Sequence, residues 1–337
     1  MARLTPPGEI KKQIPADSFP LRAREVASKI LNHKDPRLAI LTGPCSIHDP
    51  KSALEYAQRL KDLSFQVADT LFLIMRVFIE KPRSQEGWRG ILYDPLLDGS
   101  YDMEMGIRTS RSLLRDIAAL GVPCAVEILD PLSPYYLDDL ITWGMIGART
   151  SASPIHRHIA SGLPFPIGFK NDLLGRIQPA LSGALVARRP QSHLGIDSCG
   201  HLCSIQTQGN PFSHIVLRGS DQGSNYDAAS LESALLALQK SNLEPRLLID
   251  CAHGNSGKNL EAQKAAFFNI IEKSATSQGI AGVMLESHLK SGKQAIGENT
   301  GFLEYGVSIT DPCLSWEDTE EMIRWAACLR ARKTIKR

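Results

Sequence analysis

The strongest constraint on this chain is a regular alternation of two kinds of segment. Short apolar runs rich in β-branched residues stand at 38–42, 71–79, 124–129, 145–149, 166–170, 214–218, 246–251 and 281–286. Between most of them lie stretches with apolar residues at helical spacing, at 52–63, 105–120, 134–143, 227–238, 260–273 and 318–332. In the first of these Leu54, Ala57, Leu60 and Leu63 share one face. Segment 173–187 reads as a weaker helix, because Pro179 and Gly183 interrupt it. Strands separated by helices cross over and pair in parallel, and eight such units predict an α/β fold closed as a (β/α)8 TIM barrel. A doubly wound sheet is the alternative, but it wants a glycine-rich phosphate turn after its first strand. Here 43–49 reads Gly-Pro-Cys-Ser-Ile-His-Asp instead. Residues 1–37 read as an N-terminal arm and oligomerisation extension with one short helix over 21–32, and 38–337 as the barrel. The Ser-, His- and Gly-rich stretch 191–208 predicts a small inserted hairpin.

Charge bears on partners. The 337 residues carry 38 Lys and Arg against 36 Asp and Glu, a net +2, so no global field would hold nucleic acid or an acidic membrane. The longest apolar run, 71–79, is broken by Arg76 and falls short of a membrane span, and the first residues carry no apolar signal core. Seven cysteines, an odd number, suit reduced thiols and a cytoplasmic location. Cys199-Gly-His201-Leu-Cys203 looks like a metal cluster, yet no second Cys/His pair stands at zinc spacing, so it reads as a plain turn. Trp88, Trp143, Trp316 and Trp325 read as packing residues, and the basic stretch 330–337 as a frayed, solvated end.

In a barrel of this kind chemistry lies at the C-terminal ends of the strands. Those ends carry Cys45, Arg76, Lys81, Arg83, Glu127, Arg149, Lys170, Arg218, His253 and Glu286, with Asp311 on a further loop. Cys45, His253, Glu286 and Asp311 offer a thiolate, an imidazole and two carboxylates, a set suited to one divalent ion of Mn, Fe, Co or Zn. Arg76, Lys81, Arg83, Arg149, Lys170 and Arg218 are cations converging on one mouth. They would repel one another unless an anion of several charges sat among them. Each alone reads more simply as a solvated or locally paired charge. An ionisable residue at nearly every strand end is harder to explain without a ligand.

Nine blocks, in order, resemble the class I 3-deoxy-D-arabino-heptulosonate 7-phosphate (DAHP) synthases of the shikimate pathway, in the form without a fused regulatory domain. They are Gly43-Pro-Cys-Ser-Ile-His-Asp49, Arg76-Val-Phe-Ile-Glu-Lys-Pro-Arg-Ser84, Gly87-Trp-Arg-Gly90, Gly147-Ala-Arg-Thr150 and Gly168-Phe-Lys-Asn171, then Leu217-Arg-Gly219, Ile249-Asp-Cys-Ala-His-Gly-Asn-Ser256, Gly282-Val-Met-Leu-Glu-Ser287 and Tyr305-Gly-Val-Ser-Ile-Thr-Asp311. The resemblance implies condensation of phosphoenolpyruvate with erythrose 4-phosphate and water to give DAHP and phosphate. It implies Cys45, His253, Glu286 and Asp311 as metal ligands. Arg76, Arg149, Lys170, Arg218 and the backbone of Gly147 and Ala148 would hold phosphoenolpyruvate. Lys81, Pro82, Arg83 and Ser84 would hold the sugar phosphate, and Glu127 would line the pocket. Lys81 would donate the proton to the new alkoxide, and Glu127 or a metal-bound water would assist the attacking water. A homodimer or homotetramer and an aromatic amino acid effector are expected partners.

The chain departs from the family pattern at Ser151-Ala-Ser-Pro154 and Asp172-Leu-Leu-Gly175, where Thr-Glu-Ser-Gln and Gly-Thr-Asp-Gly are usual. Pro164, His193 and Gly195 stand where a phenylalanine-sensitive relative usually has Ser, Phe and Ser. Two alternatives follow: a related synthase using another aldose phosphate, such as that of 3-deoxy-octulosonate 8-phosphate, or a non-catalytic sensor that kept the pocket. The Lys81-Pro-Arg-Ser84 block argues against the first, since that relative usually carries an Asn-containing motif there.

Overall fold

Eight parallel strands close into a barrel in a computed structural model that describes residues 3–83, 86–297 and 300–334, the side chains of 333 and 334 excepted. In chain order the elements are α1 (Pro7–Gln13), α2 (Phe19–Leu31), β1 (Leu38–Gly43), α3 (Pro50–Val67), β2 (Leu71–Arg76), α4 (Met103–Ala119), β3 (Cys124–Ile128), α5 (Ser133–Leu137), β4 (Trp143–Ile146), α6 (Pro154–Ala160), β5 (Ile167–Lys170) and α7 (Gln178–Ala187). Then come β6 (Ser192–Ile196), β7 (Leu202–Gln206), β8 (Ser213–Leu217), α8 (Ala228–Lys240), β9 (Leu247–Asp250), α9 (Leu260–Ser274), β10 (Ile280–Glu286) and α10 (Trp316–Thr334). The closed order is β1-β10-β9-β8-β5-β4-β3-β2, and β6 and β7 form the separate antiparallel hairpin. Among the described residues no helix is long and apolar enough to cross a membrane.

Strand alternation sorts the core into two layers. Ala39, Leu41, Ile74, Ala125, Met145, Val216, Leu248 and Met284 pack together inside the barrel, whereas their neighbours Leu38, Ile40, Leu73, Val126, Ile215 and Leu247 pack outward against the helices. The helices are fastened at their starts. Asp49 accepts from Lys51 N and Ser52 N at the head of α3, and Asp102, Asp227 and Asn259 cap α4, α8 and α9. Each such cap contributes about 1 kcal/mol.

Several sequence expectations need correction. The arm holds two helices, not one, because Pro6-Pro7 starts a first helix at the N1 position where a missing N–H costs nothing. Segment 134–143 is no single helix: α5 gives way to a 3-10 turn at Asp138–Leu140, and Trp143 already belongs to β4. A short helix, α6, was not anticipated; it starts at Pro154, inside one of the departures from the family pattern. The basic end is not frayed through its first part. α10 runs to Thr334, and Arg330 donates to Ser274 Oγ and Pro36 O; 335–337 lie outside the described residues.

The arm is pinned by charge as well as by apolar contact. Ala27, Ile30 and Leu31 of α2 join the inner layer and plug the N-terminal end of the barrel. Arg111 on α4, fully buried, donates to Ile14 O at 2.8 Å, to Tyr136 O at 2.7 Å and to both carboxylate oxygens of Asp139. Arg111→Ala strips three acceptors at once, so urea unfolding should show a loss of about 3 kcal/mol. A loss under 1 kcal/mol would mean that Arg111 contributes little to holding the arm.

Candidate active site

The inner layer explains where the ionisable residues go. Two positions beyond each apolar inward residue, strand alternation points another side chain into the same lumen, nearer the C-terminal mouth. Ile74 is followed so by Arg76, Ala125 by Glu127, Met145 by Gly147, Gly168 by Lys170, Val216 by Arg218, Leu248 by Asp250 and Met284 by Glu286. Cys45, two residues past β1, and Asp311, on the loop after β10, complete the ring.

Cys45 Sγ, a Glu286 oxygen and an Asp311 oxygen lie within 4.8 Å of one another. His253 Nε2 is 3.5 Å from Glu286 Oε1, and its Nδ1 is 2.9 Å from Asp250 Oδ2. The His253 backbone adopts φ 54, a left-handed conformation that costs a non-glycine residue and aims the ring inward. Two N–H···O bonds fix the Glu286 backbone: Gln263 donates to its carbonyl at 3.2 Å and accepts from its N–H at 2.8 Å. A thiol and two carboxylates meet within this distance, and the His253 imidazole stands against Glu286 outside that group; together they are a fitting donor set for a divalent cation.

The Lys81 ammonium stands among these donors, 2.6 Å from Cys45 Sγ and 3.6 Å from Asp311 Oδ2. Burial works against its charge, but Cys45, Glu286 and Asp311 outweigh it and raise its pKa well above the usual lysine range. Burial, aided by Glu286, pushes the Cys45 thiol up to about 11, against the pull of Lys81. At Asp311 burial is overcome by Lys81 and by Lys258, whose Nζ donates at 2.8 Å, so the carboxyl lies well below the usual range.

The cations do not simply crowd together, as expected from sequence. Arg76, buried, pairs with Glu286 at 3.1 Å and lies 4.0 Å over the Phe78 ring, while its Nε and Nη1 carry no partner. Lys170 stands between Glu127 at 3.2 Å and Asp250 at 3.4 Å. Arg76, Lys81 and Lys170 are therefore balanced by carboxylates of the same lumen. Burial would raise the Glu127 pKa, but Lys170, Lys81 and His253 bring it below the ordinary value.

Arg218 is buried, its N–H held by Asn171 Oδ1 at 2.8 Å, while Arg149 is exposed at the rim. Pro82 is half-buried and Arg83 exposed, with Arg83 Nε donating to Trp88 O at 2.9 Å; Ser84 lies outside the described residues. Gly147 is buried beside half-buried Ala148. A Cβ on Gly147 would come 2.7 Å from Glu127 Oε1, so glycine keeps this wall open.

Four supporting groups were not assigned a role from sequence. Asp250 binds both Lys170 and His253; only its place two residues past inward Leu248 could have flagged it. Lys258 reaches Asp311 from a turn. Glu80, pushed up to about 8 by burial, accepts from Asp130 N and Ser133 Oγ at 2.6 Å and ties the Lys81 loop to the segment after β3. Asn171, Asn225 and Asn255 bind one another and the backbone around Arg218. The departure at Asp172 is a self-contained turn: its carboxylate accepts from Leu174 N and Arg176 N and pairs with Arg176 Nε.

The Lys81 loop depends on one close approach. Gly90 has φ 110, and a Cβ there would lie 2.3 Å from Ile79 O, while Lys81 N donates to Arg89 O at 2.9 Å. Gly90→Ala should cost about 1–3 kcal/mol in urea unfolding, and an unchanged midpoint would show that this loop shifts freely.

Comparison with known proteins places the chain in a family with this fold. The model of the DAHP synthetase I family matches residues 13–324. The Tyr-sensitive phospho-2-dehydro-3-deoxyheptonate aldolase of Salmonella typhimurium is 43% identical over 304 residues, covering 90% of this chain and 85% of that protein. A putative phospho-2-dehydro-3-deoxyheptonate aldolase of Schizosaccharomyces pombe is 45% identical over 314 residues, covering 92% and 85%. The solved structure of the phospho-2-dehydro-3-deoxyheptonate aldolase of Francisella tularensis superposes with a TM-score of 0.95 at 38% identity, over 99% of this chain and 98% of that one.

Proposed function

The chain belongs to the DAHP synthetase I family, and from that premise we propose how its own residues carry the reaction. It is a 3-deoxy-7-phosphoheptulonate synthase, joining phosphoenolpyruvate to erythrose 4-phosphate with water and releasing phosphate, a shikimate-pathway step. The observation that carries the residue assignment is the meeting of Cys45, Glu286 and Asp311, with His253 and Lys81 against them, at one end of the barrel.

Cys45, His253, Glu286 and Asp311 would hold one divalent metal ion of the Mn, Fe, Co or Zn kind. When bound, such an ion supplies Lewis-acid polarisation of the aldehyde carbonyl. Phosphoenolpyruvate brings a carboxylate and a phosphate, which Arg149, Lys170, Arg218 and the inner guanidinium of Arg76 would bind, with the backbone of Gly147 and Ala148 beneath. Lys81, Pro82, Arg83 and Ser84 would receive the sugar phosphate. The enol carbon attacks the aldehyde carbon, and Lys81 Nζ gives its proton to the oxygen that becomes a hydroxyl. Glu127 orients the water that adds at the carbon bearing the phosphate ester and accepts the proton the water sheds. The C–O bond to phosphate then breaks, and phosphate leaves with the bridging oxygen as the ketone forms.

The relatives include aldolases named Tyr-sensitive and Trp-sensitive, which supports an aromatic amino acid as effector here. In this chain the corresponding wall is reshaped: a Cβ on Gly195 would lie 2.0 Å from the Tyr135 hydroxyl. A homodimer or homotetramer joined through the arm, in the cytoplasm, completes the proposal.

Phosphate release from phosphoenolpyruvate tests it. Release is expected with erythrose 4-phosphate, should stop with chelator and should return with added Mn2+. Equal turnover with arabinose 5-phosphate would overturn the aldose assignment. Chelator-insensitive turnover would overturn the metal assignment.

A further inference from the structure

A second set of metal donors stands outside the parallel barrel, at the turn of the β6–β7 hairpin. The ladder ends at Ile196 paired with Leu202, which leaves 197–201 as the connecting loop. Asp197 N donates to His201 O at 2.9 Å and closes it. One carboxylate oxygen of Asp197 accepts from Cys199 N at 2.8 Å and His201 N at 2.9 Å, while the other lies 3.4 Å from His201 Nδ1. Gly200, with φ +81, lets the chain reverse between Cys199 and His201. As a result, one ligand atom each from Asp197, Cys199 and His201 lies within 4.8 Å of the others. From sequence alone Cys199-Gly-His201-Leu-Cys203 reads as a plain turn; the fold brings Asp197, two residues upstream of Cys199, to Cys199 and His201 in place of Cys203.

We propose that Asp197, Cys199 and His201 bind a zinc-class divalent ion that stiffens this turn. The donor chemistry selects the ion. A thiolate and an imidazole with one carboxylate oxygen suit Zn2+ or Co2+, whereas Ca2+ and Mg2+ need more oxygen donors than the turn offers. Bonds of about 2.0–2.3 Å in a tetrahedron require donors about 3.3–3.8 Å apart. All three side chains are exposed, so rotation about their side-chain bonds closes the remaining gap at little cost in burial. Water fills the fourth position. The turn also holds the arm: Gly8 N donates to Ser198 O at 2.8 Å, and a Cβ on Gly8 would come 2.7 Å from that oxygen. An ion fixing residues 197–201 therefore fixes the surface on which the arm docks.

Co2+ alone is the probe, because thiolate ligation gives it a near-ultraviolet charge-transfer band. Wild-type chain is expected to bind about two Co2+, one at each thiol-bearing cluster. Cys45→Ala should retain one equivalent and its thiolate band; adding Cys199→Ser should abolish both, whereas adding Cys203→Ser should not. A Cys45→Ala chain without a thiolate band, or a band that survives Cys199→Ser, would overturn the proposal. If Cys45→Ala does not fold, His201→Ala on the otherwise wild-type chain should lower the count by one, and an unchanged count is equally decisive. The barrel centre is scored separately by the band that Cys45→Ala removes, so failure there leaves the hairpin result readable.

Discussion

Lys81→Met is expected to lower kcat by about 10^2- to 10^4-fold, the range that a positioned proton donor contributes. The KM for phosphoenolpyruvate should change little, since Lys170, Arg218 and Arg149 would bind it on the other wall. The reasoning rests on where the ammonium sits. Its nitrogen is 2.6 Å from Cys45 Sγ and 3.6 Å from Asp311 Oδ2, so it faces the same point as the proposed metal donors. The Glu286 and Asp311 carboxylates hold it protonated, and a lysine that arrives charged is an acid, not a base. With the donors' charge taken up by a divalent ion, that attraction weakens and the proton is released more readily. The same substitution separates chemistry from structure. In the metal-free chain Lys81 offsets the charges of Glu286 and Asp311, so the variant should lose stability there and lose less when metal is present. Steady-state phosphate release together with thermal unfolding, with and without Mn2+, reads both effects. A kcat within about threefold of wild type would remove Lys81 from the proton transfer.

The barrel was readable because its signals are local. Each strand is a short apolar run, each helix has an apolar face, and the period change between them marks the boundaries to within a few residues. The elements that escaped notice are those whose limits are set from elsewhere. Trp143 belongs to β4 because Ala125 pairs with it across the sheet, not because of its neighbours. α5 is only five residues long; its Tyr136 carbonyl is held by Arg111, and the carbonyls of Asp138 and Ile141 after it by Arg24, both from other elements. The lumen shows the same division. Residues at strand ends were legible as a set, since alternation alone sends Arg76, Glu127, Lys170 and Glu286 inward. Their pairing was not, because it depends on which strands are neighbours after closure. The expectation of mutually repelling cations failed for that reason. Asp250 and Glu127 stand on strands remote in sequence, and only the closed barrel puts both against Lys170.

Asp250→Ala tests that pairing most directly and should destabilise the chain by about 3–5 kcal/mol, the cost of removing one member of a buried ion pair. Asp250 is fully buried. Burial alone would raise its pKa, but His253 and Lys170, with Arg76 behind them, hold it far below the usual carboxylate range. Its Oδ1 also accepts from Ala252 N at 3.0 Å, which shapes the turn that carries His253. Truncation leaves Lys170 with Glu127 as its one remaining carboxylate neighbour at ion-pair distance among the described residues. It also leaves the His253 ring without the group facing Nδ1. A carboxylate on the far nitrogen orients a ligating imidazole and makes it a better donor, so metal affinity should fall about 10- to 100-fold. Asp250→Asn keeps an acceptor for Ala252 N but not the charge, and should fall between the two in both properties. Urea unfolding measures the first effect, and competition with a chelator of known affinity measures the second. If both variants kept wild-type metal affinity, Asp250 would serve Lys170 alone, and His253 would be oriented by its strained backbone rather than by its carboxylate neighbour.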